Sequence, residues 1–191
     1  MQSHNLLNLL RETGAMLDGH FLLTSGMHSN MYIEKFRILE NPKSLDQVCL
    51  AMAKIIKNED IDLVLGAAIG GILIAGGVGR HLGKKHAFSE RIDEKMELRR
   101  GFSISKEERI VIVEDIITTG GSVIELIHLA EEYEAQIIHV VNLVDRSPDG
   151  IDFGYPSTAL LNIPSKSYKF DDCPLCKEGL PLTERGRTGK K

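Results

Sequence analysis

The segment Arg109-Ile-Val-Ile-Val-Glu-Asp-Ile-Ile-Thr-Thr-Gly-Gly-Ser122 decides the fold class of this chain. Its β-branched run, Arg109 to Val113, predicts a buried strand, and Glu114 to Gly121 predicts a loop. The residues from Ser122 to Tyr133 then predict a helix, and the apolar run from Gln136 to Val144 predicts the next strand. A strand, a helix and a second strand in this order indicate a right-handed crossover within a parallel sheet.

A similar unit precedes this segment. Ile61 to Leu65 predicts a short strand, Gly66 to Gly71 a loop, and Ile72 to Leu82 a helix packed through small residues. Before it, Pro42 to Asn58 has apolar residues at helical spacing. The charged stretch from His86 to Ile104 predicts a hairpin that leaves the alternation as an exposed excursion. We therefore expect an α/β fold with a central, mostly parallel sheet flanked by helices.

Bulk properties restrict the class of protein. With 191 residues and 42% hydrophobic content, the chain suits one domain. A net charge of −4 and a pI near 6.0 argue weakly against a nucleic-acid partner, because such proteins usually present a basic surface. The sequence shows no secretory signal and no apolar run long enough for a membrane span. Three cysteines are too few for a disulfide framework, so we expect a soluble, cytoplasmic protein with reduced thiols.

Two adjacent acids, Glu114 and Asp115, follow the predicted strand, at the edge where open α/β sheets bind ligands. Residues Thr118 to Ser122 then open a helix. Backbone amides at a helix start face anions, and glycines let the backbone approach closely, so this loop is suited to a phosphate. Carboxylates beside it would repel a bare phosphate but can accept hydrogen bonds from the 2′ and 3′ hydroxyls of a ribose 5-phosphate.

Simpler interpretations exist for each part of this pattern. The acids alone suit a solvated strand end, and Thr-Thr-Gly-Gly-Ser alone suits an ordinary helix N-terminus. The full pattern disfavours both. The two common phosphate loops fit less well, since no Lys follows a G-x-x-x-x-G spacing and no G-x-G-x-x-G follows a strand.

At these residues the chain resembles a known family. Val111 to Ser122 is similar to the motif of type I phosphoribosyltransferases that binds phosphoribosyl pyrophosphate (PRPP). Three further stretches, Gly14 to Ser29, Met96 to Phe102 and Val144-Asp-Arg146, resemble orotate phosphoribosyltransferases. The resemblance extends from about Leu6 to Pro181 and includes the Cys-Pro-Leu-Cys segment.

The resemblance implies roles for individual residues. Glu114 and Asp115 hold the ribose hydroxyls and, with Lys95, serve catalysis. Thr118 and Arg146 contact orotate, and a guanidinium can hold a carboxylate through two hydrogen bonds. The implied PRPP-binding residues are Glu114, Asp115, Ile116, Ile117, Thr118, Thr119, Gly120, Gly121, Ser122, Arg91 and Arg99. Arg91, Lys95, Arg99 and Arg100 are lid candidates, for which a solvated charged hairpin is the alternative.

The same resemblance implies the architecture and the reaction. It predicts a type I phosphoribosyltransferase fold over residues 1–191, with a small hood from about 1–40 and 165–184 and a disordered tail at 185–191. The substrates would be orotate and PRPP, with Mg²⁺ held mainly through substrate oxygens and water. A homodimer sharing its lid loops is also implied, with no nucleic acid or membrane partner. Another base, such as a purine, or a PRPP-sensing regulator without catalysis are the alternatives.

Some positions depart from the family pattern. Thr24 stands where many orotate enzymes have Lys, Ala68-Ile69 where many have Tyr-Lys, and the lid is short. These departures bear on the base and the pyrophosphate contacts, not on the PRPP motif.

The Cys173-x-x-Cys176 pair is half of a tetrahedral zinc site. The sequence leaves its role open. Zinc could be shared across a dimer or completed by nearby His or Asp groups such as Asp171 and Asp172; a redox pair and an ordinary thiol turn are the other interpretations.

Overall fold

The computed structural model describes residues 3–23, 25–93, 95–164 and 166–185. Thr24 and most of the predicted tail, residues 186–191, lie outside the described residues. The helices are α1 (Ser3–Glu12), α2 (Phe36–Leu39), α3 (Pro42–Ile55), α4 (Gly70–Leu82), α5 (Gly121–Glu132) and α6 (Pro174–Lys177), with a 3-10 turn at Phe170–Asp172. The strands are β1 (Met16–Leu22), β2 (His28–Ile33), β3 (Leu63–Ala67), β4 (Lys85–Ile92), β5 (Lys95–Leu98), β6 (Arg109–Ile117), β7 (Gln136–Asp145), β8 (Ser157–Asn162), β9 (Ser167–Tyr168) and β10 (Thr183–Glu184).

The central sheet has six strands in the order β5-β4-β3-β6-β7-β8. All neighbours are parallel except β5, which runs antiparallel to β4. The predicted α/β class with a mostly parallel sheet is confirmed. Strand β6 lies inside the sheet between β3 and β7, so its carboxyl end opens where neighbouring strands also end.

Helices cover the sheet on both faces, which explains the apolar character of its inner strands. On one face, residues of α1, α3 and α4 pack in a core with Val64, Val111 and Val141. On the other face, α5 packs against Leu65, Ile112 and neighbouring strand residues. Alternate residues of β6 therefore pack into the two cores on opposite faces of the sheet, and the residues of both faces are buried.

A second, smaller sheet lies beside the first and is called the hood sheet here. Its order is β10-β1-β2-β9, so strands from both ends of the chain flank the β1–β2 hairpin. Strand β1 pairs with β2 antiparallel and with β10 in parallel, and β9 pairs with β2 antiparallel.

Two boundaries differ from the sequence prediction. The stretch from His86 is not an excursion, because β4 joins the sheet parallel to β3 and buries Ala87 and Ser89; only β5 forms the antiparallel edge. Strand β6 also continues beyond Val113, since Glu114 pairs with Asn142 and Ile117 with Asp145. The acids therefore belong to a strand end rather than to a loop.

No helix among the described residues is both long and apolar enough to cross a membrane.

Candidate active site

The two acids of the sequence motif are buried at the carboxyl end of β6. Glu114 is 6% exposed and Asp115 is 2% exposed. Glu114 Oε1 accepts a hydrogen bond from the Asp115 backbone amide at 2.9 Å, and Asp115 Oδ1 accepts one from the Ile116 amide at 2.6 Å. These bonds fix both carboxylates at the strand end.

Burial and mutual repulsion change the protonation of this pair. Loss of hydration, followed by the nearby charge of Asp115, raises the pKa of Glu114 from 4.5 to about 8. Two carboxylates this close disfavour simultaneous ionisation, so Glu114 holds its proton well above the usual range for a glutamate. A protonated carboxyl can donate as well as accept a hydrogen bond.

Lys35 contacts Asp115, and sequence reasoning missed it. Its Nζ lies 2.7 Å from Asp115 Oδ2, and the lysine side chain is 33% exposed while the aspartate side chain is 3% exposed. Lys35 lies between β2 and α2, and the turn between these two elements places its side chain at the carboxyl end of β6. No local motif marks this residue, since the pair forms only when the two sheets meet.

Residues 116–122 form the wall of a cavity of about 250 Å³ at the start of α5. Every residue of the predicted phosphate loop lines it, together with Glu114 and Arg91. Gly120 has φ of +76°, and a side chain there would press against Ile151 and Phe153. Glycine is therefore required both by the backbone conformation and by the space, which places the first amides of α5 at the cavity.

The β3–α4 loop approaches the same acids from the side. A Cβ added at Gly70 would overlap the Asp115 carboxylate, and one added at Gly66 would collide with the backbone of Gly71. The Ala68–Ile69 peptide bond is cis. The Gly66 to Gly71 segment thus lies next to the acid pair.

The four basic lid candidates lie in different places, and they do not share one cavity. Arg91 lies on β4 and lines the cavity, where its guanidinium pairs with Glu125 of α5 at 2.7 and 2.9 Å. Lys95 lines a different groove along α5, beside His128 and Tyr133. Arg99 is exposed after β5, and Arg100 pairs with Glu90 at 3.0 Å. Of these residues, only Arg91 lines the cavity of residues 116–122 in its own chain.

Arg146 follows β7 and lies against both sheets. Its side chain is buried, with the residue 7% exposed, and burial lowers the pKa of its guanidinium. Its backbone amide donates to the Ile117 carbonyl at 2.8 Å, while Nη2 lies 3.5 Å from the carbonyl oxygen of Met31 in β2. Asp145 Oδ1 accepts from the amide and hydroxyl of Ser147 and so fixes the turn around Arg146. A buried guanidinium thus lies between the hood sheet and the tip of β6.

The cysteine pair lies in the hood region, beside two histidines. Cys173 is buried and Cys176 half-buried, and both sulfur atoms face His20 and His28. Asp171 and Asp172 are exposed. The partners nearest to the thiols are therefore imidazoles rather than the neighbouring acids.

A larger groove, of about 620 Å³, lies elsewhere, between α1 and the start of α3. It is lined by Leu9, Glu12, Thr13, Arg37, Glu40, Asn41, Pro42, Lys43, Ser44 and Gln47. None of these residues lies at a sheet strand end, where α/β folds place their ligands, so we assign the site to the smaller cavity.

A strand-end acid pair beside a glycine-lined cavity at a helix start defines the class of this protein. The family model of the phosphoribosyl transferase domain matches residues 36–164, which include β6, α5 and the cavity.

Relatives narrow the class. An orotate phosphoribosyltransferase of Thermotoga maritima is 42% identical over 183 residues, covering 96% of this chain and 98% of that protein. The crystal structure of orotate phosphoribosyltransferase from Aeropyrum pernix is similar with a TM-score of 0.69 and 25% identity, over 82% of this chain and 93% of that one. The chain belongs to the orotate phosphoribosyltransferase family.

The fold is also shared with a longer protein. The structure of Leishmania donovani UMP synthase matches with a TM-score of 0.69 and 24% identity over 84% of this chain. The matched part is 36% of that longer chain.

Proposed function

We propose that this protein transfers ribose 5-phosphate from PRPP to orotate, giving orotidine 5′-monophosphate and pyrophosphate, a step of pyrimidine biosynthesis. The observation that carries the proposal is the buried pair Glu114 and Asp115 beside the cavity of residues 116–122. The identification of orotate as the base comes from the names of relatives that match this chain over nearly its whole length.

The acid pair suits a ribose better than a bare phosphate. In the proposed complex the 5-phosphate occupies the cavity at the start of α5, where backbone amides and the helix dipole favour an anion. The 2′ and 3′ hydroxyls then reach Glu114 and Asp115. As the bond from the anomeric carbon to pyrophosphate breaks, positive charge develops on the ribose, and the carboxylate of Asp115 stabilises it. The pyrophosphate leaves with the bonding electron pair, and a ring nitrogen of orotate forms the new bond to the anomeric carbon while its N–H proton passes to water or to the released pyrophosphate.

Arg146 is proposed to recognise the orotate carboxylate. Its guanidinium is buried between β2 and the end of β6, and a planar fork of donors holds a carboxylate with two hydrogen bonds. A buried site of this kind disfavours an analogue that lacks the carboxylate, because the two hydrogen bonds to that carboxylate would not form. Uracil should therefore bind poorly.

Mg²⁺ is the proposed cofactor, and the carboxylate oxygens at the end of β6 are of the kind that this ion prefers. Among residues 3–185 with their three gaps, the single cluster of three or more metal-binding side chains contains two sulfur atoms, which Mg²⁺ does not favour. Glu114 and Asp115 supply hard oxygen atoms at the ribose end. Magnesium bound through substrate oxygens and water would neutralise charge on the departing pyrophosphate.

We also propose a cytoplasmic homodimer in which the lid acts across subunits. Lys95 lies along α5, away from the phosphate cavity of its own chain, which supports a role in the neighbouring site. Mixing inactive Lys95→Ala and Asp115→Asn proteins under exchange conditions should restore roughly a quarter of the wild-type activity, since random pairing yields that share of intact sites. No recovery on mixing would contradict the shared lid.

The base assignment is tested with a substrate panel. Purified protein with PRPP and Mg²⁺ is given orotate, uracil or hypoxanthine, and loss of the base is followed. Consumption of orotate alone is expected. Turnover of hypoxanthine without orotate would assign the chain to purines, and binding of PRPP without turnover of any base would make it a regulator.

The carboxylate role of Arg146 has its own test. Arg146→Gln should raise the KM for orotate at least tenfold, the loss of about 1.4 kcal/mol or more of charge-assisted hydrogen bonding, and leave the KM for PRPP nearly unchanged. Equal effects on both substrates would show that this guanidinium does not bind the base.

A further inference from the structure

Four side chains with soft or borderline donor atoms converge beneath the hood sheet. They are His20 of β1, His28 of β2, Cys173 after the 3-10 turn and Cys176 of α6. One donor atom from each lies within 4.8 Å of all the others. His20, His28 and Cys173 are nearly inaccessible to water, at 4%, 3% and 0% exposure, and Cys176 is half-buried. We call these residues the His₂Cys₂ cluster.

Three nitrogen–sulfur distances in the cluster match the edge of a tetrahedron around one small cation. With zinc–sulfur bonds of about 2.3 Å and zinc–nitrogen bonds of about 2.0 Å, neighbouring nitrogen and sulfur ligands lie about 3.5 Å apart. His20 Nε2 lies 3.6 Å from Cys173 Sγ and 3.7 Å from Cys176 Sγ. His28 Nδ1 lies 3.3 Å from Cys176 Sγ and 2.8 Å from His20 Nε2.

A hydrogen bond to a group outside the cluster orients the imidazole ring of His20. His20 Nδ1 lies 2.8 Å from the carbonyl oxygen of Leu180. A carbonyl oxygen only accepts, so Nδ1 carries a proton, and this contact leaves Nε2 as the ring nitrogen that faces both sulfur atoms. Metal-binding histidines are commonly oriented by such a bond from the second nitrogen to a backbone carbonyl.

We propose that this cluster binds one structural Zn²⁺ through His20 Nε2, His28 Nδ1, Cys173 Sγ and Cys176 Sγ. Two thiolates and two neutral imidazoles suit zinc in tetrahedral coordination, whereas hard cations prefer oxygen ligands. All four positions are filled by protein side chains, which leaves no open site for a substrate and assigns the ion to structure rather than catalysis.

The ion would join the two ends of the chain. His20 and His28 lie on the central hairpin of the hood sheet, whereas the cysteines lie in the segment between β9 and β10. The described part of that C-terminal segment has only short elements, and Cys173 is its one buried residue. A metal centre stabilises such a segment without a large core, because it binds the folded arrangement and not the unfolded chain.

Zinc in this cluster would also affect the proposed orotate site, a consequence that rests on the proposed function. Strand β2 carries His28 at one end, and Met31, whose carbonyl oxygen is 3.5 Å from Arg146 Nη2, lies three positions further, about 10 Å along the strand. Loss of zinc should loosen this strand and weaken orotate binding more than PRPP binding.

The first test is metal content. Untagged full-length protein from zinc-supplemented cells, dialysed without chelator, should contain about one zinc per chain by elemental analysis. Cys176→Ser should lose it, since a hydroxyl replaces a thiolate ligand. Cys49→Ala and His86→Gln are the matched controls, a buried cysteine and an exposed histidine outside the cluster, and both should keep the metal. Zinc removal from the wild type should lower its thermal midpoint.

The second test needs no variant and so does not depend on how a mutant folds. Zinc-edge X-ray absorption of the wild-type protein should show two sulfur atoms at about 2.3 Å and two nitrogen atoms at about 2.0 Å. Wild-type protein without zinc that takes up none on addition would overturn the proposal, as would a Cys173–Cys176 disulfide in protein purified under reducing conditions. Unchanged zinc content in Cys176→Ser would overturn it as well.

Discussion

Replacing Asp115 with asparagine removes a charge from the strand end while preserving the size of the side chain. Asp115 is 2% exposed, and its Oδ2 pairs with Lys35 at 2.7 Å. In the proposed mechanism it also accepts a hydrogen bond from a ribose hydroxyl and faces the charge that develops on the ribose. The substitution should therefore affect the transition state more than the fold.

The magnitude follows from two overlapping losses. A hydrogen bond to a charged acceptor contributes about 1.5–3 kcal/mol. A unit charge about 5 Å from a developing positive charge contributes about 3 kcal/mol at an effective dielectric constant of 20. Because the two contributions are not additive, we expect a loss of about 2–4 kcal/mol, which lowers kcat/KM for PRPP by about 30- to 1000-fold.

Stability should change much less. The loss of the Lys35 pair, whose lysine is one-third exposed, is partly offset because Glu114 no longer faces a second negative charge. The thermal midpoint of Asp115→Asn should stay near that of the wild type. This separates a catalytic loss from unfolding.

The assay is steady-state kinetics with PRPP varied at saturating orotate. Asp62→Asn is the matched control, because Asp62 also forms an ion pair, with Arg109 at the opposite end of β6. The control should keep wild-type kcat/KM. If Asp115→Asn kept more than a third of wild-type kcat/KM, a loss below about 0.7 kcal/mol, the ribose role of this carboxylate would be refuted.

Three further predictions concern glycine packing, ionisation and helix capping. Gly70→Ala should raise the KM for PRPP and destabilise the protein by about 1–3 kcal/mol in denaturant unfolding, because the added Cβ would overlap Asp115. Gly76→Ala, in the middle of α4, is the control and should be neutral or stabilising by up to about 1 kcal/mol. Because the pKa of Glu114 is raised, the folded state loses stability as the pH rises from 4.5 to about 8. Glu114→Gln removes this loss. The thermal midpoint of Glu114→Gln minus that of the wild type should therefore increase across that pH interval. A difference independent of pH would contradict the shift. Asn41→Ala should cost about 1 kcal/mol of unfolding free energy, because Oδ1 of Asn41 caps α3 through two backbone amides, and a change below about 0.3 kcal/mol would show that the cap is not formed.

The local chemistry of the central segment was sufficient to predict the core of the fold. The β-branched run of Arg109 to Val113 and the small residues around Gly120 each have one main structural use, a buried strand and a close backbone turn. The predicted residues Thr118 to Ser122 therefore line one cavity at the start of α5.

Contacts between distant segments could not be predicted in the same way. The pairing of Lys35 with Asp115 and the contact of Arg146 with Met31 depend on how the hood sheet meets the central sheet, and neither leaves a local pattern. The charged residues toward both ends of β4 predict an exposed hairpin, although Ala87 and Ser89 between them are buried in the sheet.

The cysteine pair shows the same limit. The spacing of Cys173 and Cys176 suggested half of a metal site, but the sequence offered Asp171 and Asp172 as nearby partners. The structure places His20 and His28 there instead, because the β1–β2 hairpin has an irregular register between Asp18 and Phe21. Such a register shift cannot be read from alternation alone.

The location of PRPP is the most direct test of the proposed site. In a crystal structure of the protein with PRPP bound, the 5-phosphate should lie within about 3.2 Å of backbone amides in residues 118–122, and both ribose hydroxyls should contact Glu114 and Asp115. PRPP bound in the groove between α1 and α3, or a phosphate cavity left without the 5-phosphate, would contradict the account.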